Sequence, residues 1–157
     1  MKRFFQSVCI VIGLINGAKA QETINPRDFA KETFNLIVLS EIAIYANSQS
    51  ECLEASRLKY KSVRNFLENE VRPVLNKISA REGKSARDVD QVMRDLSAAP
   101  NVKVQGIPIG RYMYMEMKGR VSKEDINYCK TLHDSIQVLI DTNNQSFNKN
   151  RDALSAK

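Results

Sequence analysis

Between Phe34 and Ala46 the chain reads FNLIVLSEIAIYA, an apolar run interrupted only by Asn35, Ser40 and Glu41. A run that apolar has to be covered on most sides, and it is too short to cross a bilayer. It predicts a central helix with the rest of a small helical domain wrapped around it. Asn25-Pro26 opens this helix, because a proline in the first turn lacks only an amide that has no helical partner. Asp28 adds a favourable first-turn charge. At helical period Phe29, Leu36, Ile37 and Ile44 share one side, and Arg27, Lys31 and Asn35 share the other. Glu41 sits near the edge of that polar arc. It reads as a carboxylate reaching water or a cation, in preference to a buried acid of raised pKa.

Asn47-Ser48-Gln49-Ser50 breaks the run and caps a second, long helix. From Leu53 onward Ser56, Tyr60, Val63, Leu67, Val71, Val74 and Ile78 recur in steps of three and four, an amphipathic stripe. Arg57, Lys59, Lys61, Arg64, Glu68 and Glu70 lie opposite. Pro73 falls inside the stripe and predicts a kink or restart near Asn69–Pro73. Ser85 with Asp88 forms a capping box that opens a short helix, with Val89, Val92, Met93 and Leu96 inward and a stop before Pro100.

The period changes at 101–110, NVKVQGIPIG. Val102, Val104, Ile107 and Ile109 have strand-like spacing broken by Gly106 and Pro108, which predicts an extended connector. Arg111 to Lys118, RYMYMEMK, fits neither period cleanly and reads as a short helix ending at Gly119, with a strand as the alternative. Ser122 caps the last strong helix, with Glu124 and Asp125 in its first turn. Ile126, Cys129, Leu132, Ile136, Leu139 and Ile140 lie on its inner arc. From Asn143 the chain is expected to fade into a polar tail, frayed or weakly helical.

The N-terminus changes the setting of these elements. Met1-Lys2-Arg3 is basic, Phe4 to Ile15 is apolar, and Ala18-Lys19-Ala20 places small residues at the minus-three and minus-one positions. That pattern predicts a secretory signal peptide over 1–20, a helical domain over 21–142 and a polar tail over 143–157. Cys9 lies inside the apolar segment, where it does not serve as a lipid-attachment cysteine. The formal charge of the whole chain is +6. Lys2, Arg3 and Lys19 carry half of that excess away with the signal peptide. What remains is an ordinary mixed surface, with no nucleic-acid footprint and no transmembrane segment. The expected location is periplasmic or secreted.

Of three cysteines, Cys52 and Cys129 then remain, and an even pair in an exported chain predicts a disulfide. Closing so long a loop is worth about 4–5 kcal/mol on a chain-entropy estimate. A redox pair would want Cys-x-x-Cys spacing. A metal site built on Cys52, Cys129 and His133 lacks a fourth ligand. His133, the only histidine, has no nucleophile motif beside it and reads as structural. Met113, Met115 and Met117 form Met-x-Met-x-Met, which in an exported protein raises Cu(I) as an alternative to an adaptable apolar surface.

The chain is therefore expected to be all-α, a disulfide-stapled bundle of four to five helices, with no cofactor. Its expected role is non-catalytic binding of another protein, as an inhibitor or immunity-type protein or an accessory subunit of an envelope secretion or conjugation system. A homo-oligomer fits the same surface. Periplasmic copper handling is the alternative, and a small cell-wall hydrolase the third reading. The expected contact residues are Val104, Ile107, Ile109, Arg111, Tyr112, Tyr114 and Met115, since aromatic, Met and Arg side chains are favoured at interface centres.

Overall fold

The computed structural model describes residues 26–122, 124 and 126–156. The expected signal peptide, Cys9 and Asp125 lie outside them. Five α-helices are present among the described residues: α1 (Pro26–Asn47), α2 (Val63–Phe66, a π turn Leu67–Val71, then Arg72–Arg81), α3 (Ala86–Ser97), α4 (Ile109–Lys118) and α5 (Tyr128–Ser155). The fold is all-α, and Cys52 and Cys129 form a disulfide. No described helix is long and apolar enough to cross a membrane.

α1 is the central helix, and it joins two clusters of buried side chains. Its first half supplies Phe29, Leu36 and Ile37 to a cluster with Phe66 and Val71 of α2, Val92 of α3 and Phe147 of α5. Its second half supplies Val38, Ile42 and Ala43 to another with Leu58, Tyr114 of α4 and Leu132 and Ile136 of α5. A helix covered on both sides must dispose of its polar side chains. Thr33 Oγ1 donates to the Phe29 carbonyl and Ser40 Oγ to that of Leu36, each at 2.8 Å, so neither buried hydroxyl is left unpaired. Ile44, expected inside, is exposed.

The kink foreseen before Pro73 is a π turn. The Arg72 amide reaches back five residues to the Leu67 carbonyl, one residue ahead of the proline. The Ser85–Asp88 capping box opens α3 as expected, and Val89, Val92, Met93 and Leu96 are buried.

Three element boundaries differ from expectation. α2 begins at Val63 instead of near Leu53, and 53–62 is a non-helical strap that leaves the 3₁₀ turn Ser50–Cys52 through a further turn. Leu53, Ser56 and Tyr60 face solvent while Leu58, outside the predicted stripe, is buried. Tertiary partners take the backbone groups a helix would have used. Asn47 Nδ2 donates to the Leu58 carbonyl at 3.0 Å, and the Leu58 amide donates to Asn47 Oδ1 at 2.9 Å. The Lys59 amide donates to Gln137 Oε1 at 2.9 Å.

The connector holds both strands of a small antiparallel hairpin, β1 (Lys103–Val104) and β2 (Ile107–Pro108), in which Val104 pairs with Ile107. Gln105 and Gly106 make the turn at φ 53° and 79°, the left-handed pair a two-residue hairpin requires. α5 starts at Tyr128, leaving Ile126 98% exposed rather than inside. The helix then runs to Ser155, through most of the stretch expected to be a frayed or weakly helical tail, with Phe147 and Leu154 buried.

Candidate binding groove

α4 is the hinge of the site, and its three faces do different things. Gly110 lies against α1 so closely that a Cβ there would stand 2.7 Å from the carbonyl carbon and Cβ of Glu41. One turn on, Tyr114 enters the core beside Tyr45, their rings edge-on at 5.2 Å. Arg111, exposed, places its guanidinium 5.9 Å from the Tyr45 ring centroid. At the end of the helix Lys118 pairs with Glu51. α4 therefore runs parallel to the second half of α1.

Ile109, Met113 and Met117, four residues apart, share the face turned toward α5. Together with Val38, Leu39 and Ile42 of α1 and Leu132 and Leu139 of α5 they line a groove of about 810 Å³. Two of its apolar side chains stand open to solvent, Met113 at 38% exposed and Leu139 at 42%. Among the described residues Arg120 is the single charged side chain that lines it, and Asn35, Asn143, Ser122, Thr131 and Ser135 supply the polar contacts.

The expected contact residues are split by this geometry. Tyr114 is 1% exposed, a core residue and no contact for a partner. Its hydroxyl has no hydrogen-bond partner among the described residues, and burial pushes its pKa up to about 12. Val104 and Ile107 are half-buried across the hairpin, and Tyr112 is half-buried. Ile109 lines the groove, while Met115 is exposed away from it. The three methionines do not converge. Residues two apart on a helix point to opposite sides, so Met113 and Met117 share the groove without Met115.

The other candidates are structural where they stand. His133 is buried, and its Nδ1 donates to the Ser56 carbonyl at 3.0 Å, holding the strap to α5. Cys129, four residues away, is committed to the disulfide. Glu41 is half-buried, and burial raises its carboxyl above the usual range. The residues missed by the sequence reading are Arg120, Asn35, Asn143 and Leu139. One signal pointed to them: Leu139 lies on the inner arc of α5 yet is not needed to fill the core.

The chain matches no family model, no curated protein and no solved structure.

Proposed function

We propose that the protein is an exported, non-catalytic binding module that holds a partner protein by an apolar helical segment laid in the groove between α1, α4 and α5. The observation that carries this reading is the groove itself, concave, mainly apolar and open to solvent at Met113 and Leu139. An apolar surface left in water is costly unless something covers it. Met113 and Met117 suit such a role, because flexible thioethers adapt to the shape they receive. Binding in grooves of this kind is read by anchors on one helical face.

Export is supported by the basic–apolar–small pattern over 1–20 and by the disulfide, which persists in oxidising compartments. Within that class, an inhibitor or immunity-type protein and an accessory subunit of an envelope secretion or conjugation system both act through such a contact.

Photo-crosslinking in the source cell tests the reading. A crosslinker at Leu139 is expected to capture one discrete envelope protein, with Lys130, exposed on the same helix, as the control. Capture at Leu139 should vanish when Ser135→Trp fills the groove. Equal capture from both positions, or capture that survives Ser135→Trp, would remove the groove from the function. N-terminal sequencing of the protein from the envelope fraction should begin at Gln21.

A further inference from the structure

Resting on the reading of the groove as the recognition site, we infer that the segment it receives is an acidic amphipathic helix, docked with a carboxylate at one end of its apolar stripe against Arg120. The groove is polar at its two ends and apolar between. Glu32 of α1 accepts hydrogen bonds from Ser146 and Asn150 of α5. At the other end of α1, Cys52 is bonded to Cys129 at the start of α5. The two helices therefore run antiparallel, with Asn35 near Asn143 and Ile42 toward Thr131. Lys118 on Glu51 carries the end of α4, and with it Arg120, to the Thr131 end. Along α1 the wall from Phe34 to Ile42 spans about 12 Å, two turns of a docked helix.

Charge decides what that helix carries. The Arg120 guanidinium makes no ion pair or hydrogen bond among the described residues, and none of the described acids lines the groove with it. A neutral or basic segment would cover this guanidinium without replacing its water, leaving a desolvated charge unpaired. A carboxylate accepts its forked donors and is held more strongly beside apolar walls than in open water. The apolar stripe gives affinity, and Arg120 sets the polarity of docking. The amides of Asn35 and Asn143 at the far end suit a neutral polar residue.

The test uses the full chain and a display library of helix-biased peptides, about fourteen residues or four turns long. Enriched peptides are expected to carry Leu, Met or Phe at i, i+4 and i+7 with Asp or Glu at one end of that stripe. In matched peptides differing only there, glutamate should bind about tenfold tighter than lysine, and Arg120→Glu should invert the preference. Arg120 and Ser135 are both exposed, so neither substitution threatens the fold. If Glu and Lys peptides bind alike while Ser135→Trp abolishes both, the charge inference is overturned and the groove reading stands. If no apolar-striped helix is enriched, or Ser135→Trp leaves binding unchanged, the groove reading falls with it. If dodecanoate binds saturably, sensitive to Arg120→Glu, and displaces every peptide, the occupant is a free amphiphile and the inference is overturned.

Discussion

Gly110 stands against the backbone of Glu41 with no room for a methyl group: a Cβ would lie 2.7 Å from the Glu41 carbonyl carbon and 2.9 Å from its oxygen. This contact fixes how near α4 lies to α1, and hence where the wall bearing Met113 and Met117 stands. Backbone does not yield as a flexible side chain does, so Gly110→Ala forces the helices apart. Overpacking of this kind costs about 1–3 kcal/mol, and better helix propensity returns up to about 1 kcal/mol. A net loss of about 1–2 kcal/mol is expected as a lower urea midpoint at unchanged slope. An unchanged midpoint would mean the two helices slide freely.

Tyr114 predicts an alkaline limit. Its phenol stays neutral in the folded protein up to about pH 12, against 10.0 for an unperturbed tyrosine, because burial disfavours the anion. The folded state keeps the proton longer than the unfolded state, so this stability is full below pH 10 and is lost as the pH rises toward 12. Tyr114→Phe should flatten urea-unfolding stability over that window. Tyr128, also raised by burial, leaves a smaller slope. At neutral pH the variant should be as stable as the parent or more so, since it deletes a buried hydroxyl with no partner among the described residues. A clear loss at neutral pH would show that the hydroxyl is bonded.

The strap over 53–62 depends on one side chain more than on its own propensity. Asn47 both donates to and accepts from the backbone of Leu58. Asn47→Ala leaves two partly buried backbone groups unmatched, a cost of about 1–3 kcal/mol. Hydrogen exchange at the Leu58 amide should accelerate by more than exchange in α3, whose buried residues belong to the other core cluster. Uniform acceleration would place the loss in global stability instead.

Reducing the Cys52–Cys129 disulfide should loosen the same strap. The bridge closes a loop of sequence separation 77, worth about 4.5 kcal/mol by chain entropy, with about 2–4 kcal/mol the usual range. Urea unfolding with and without reductant measures it, and paired Cys→Ser substitutions should reproduce the reduced value. Trypsin should then cut first after Arg57 or Lys59, both exposed on the strap. First cleavage within α3 would separate the disulfide from the strap.

Local pattern was enough for α1, α3 and the disulfide. Their signals lie in the elements themselves: an apolar run, a capping box with a clean stripe, and an even pair of cysteines in a chain read as exported. The strap was illegible because Leu53, Ser56 and Tyr60 fit a helical period that the backbone does not use there. What overrides that period is Asn47 and Gln137, which come from helices on either side in the sequence. The groove was half legible. The segment that carries Ile109, Met113 and Met117 was singled out, but a segment that fits neither period does not say which face is outward, and Tyr114 was placed outside when it is core. Arg120 was invisible, because its meaning comes from the absence of described acids in a groove whose three walls meet only in the fold.

The end of α5 shows the same limit in its sharpest form and gives the strongest stability prediction. Phe147 stands alone in a polar stretch, so the sequence around it reads as a tail. In the fold it is fully buried, stacked on Phe29 at 5.0 Å and edge-on to Phe66 at 4.9 Å, with the Lys61 ammonium 5.7 Å from its ring. Phe147→Ala leaves a cavity where three elements meet and should cost about 3–5 kcal/mol. Phe147→Leu, nearer in volume, should cost less than half as much. Deleting 143–157 removes Phe147 and Leu154 together with the Arg151–Glu70 ion pair and the Asn150–Glu32 hydrogen bond. The shortened chain should fail to give a cooperative urea transition by circular dichroism. A cooperative transition with the parent's midpoint would make the last turns of α5 an appendage, and would detach the lower core from the helix that closes it.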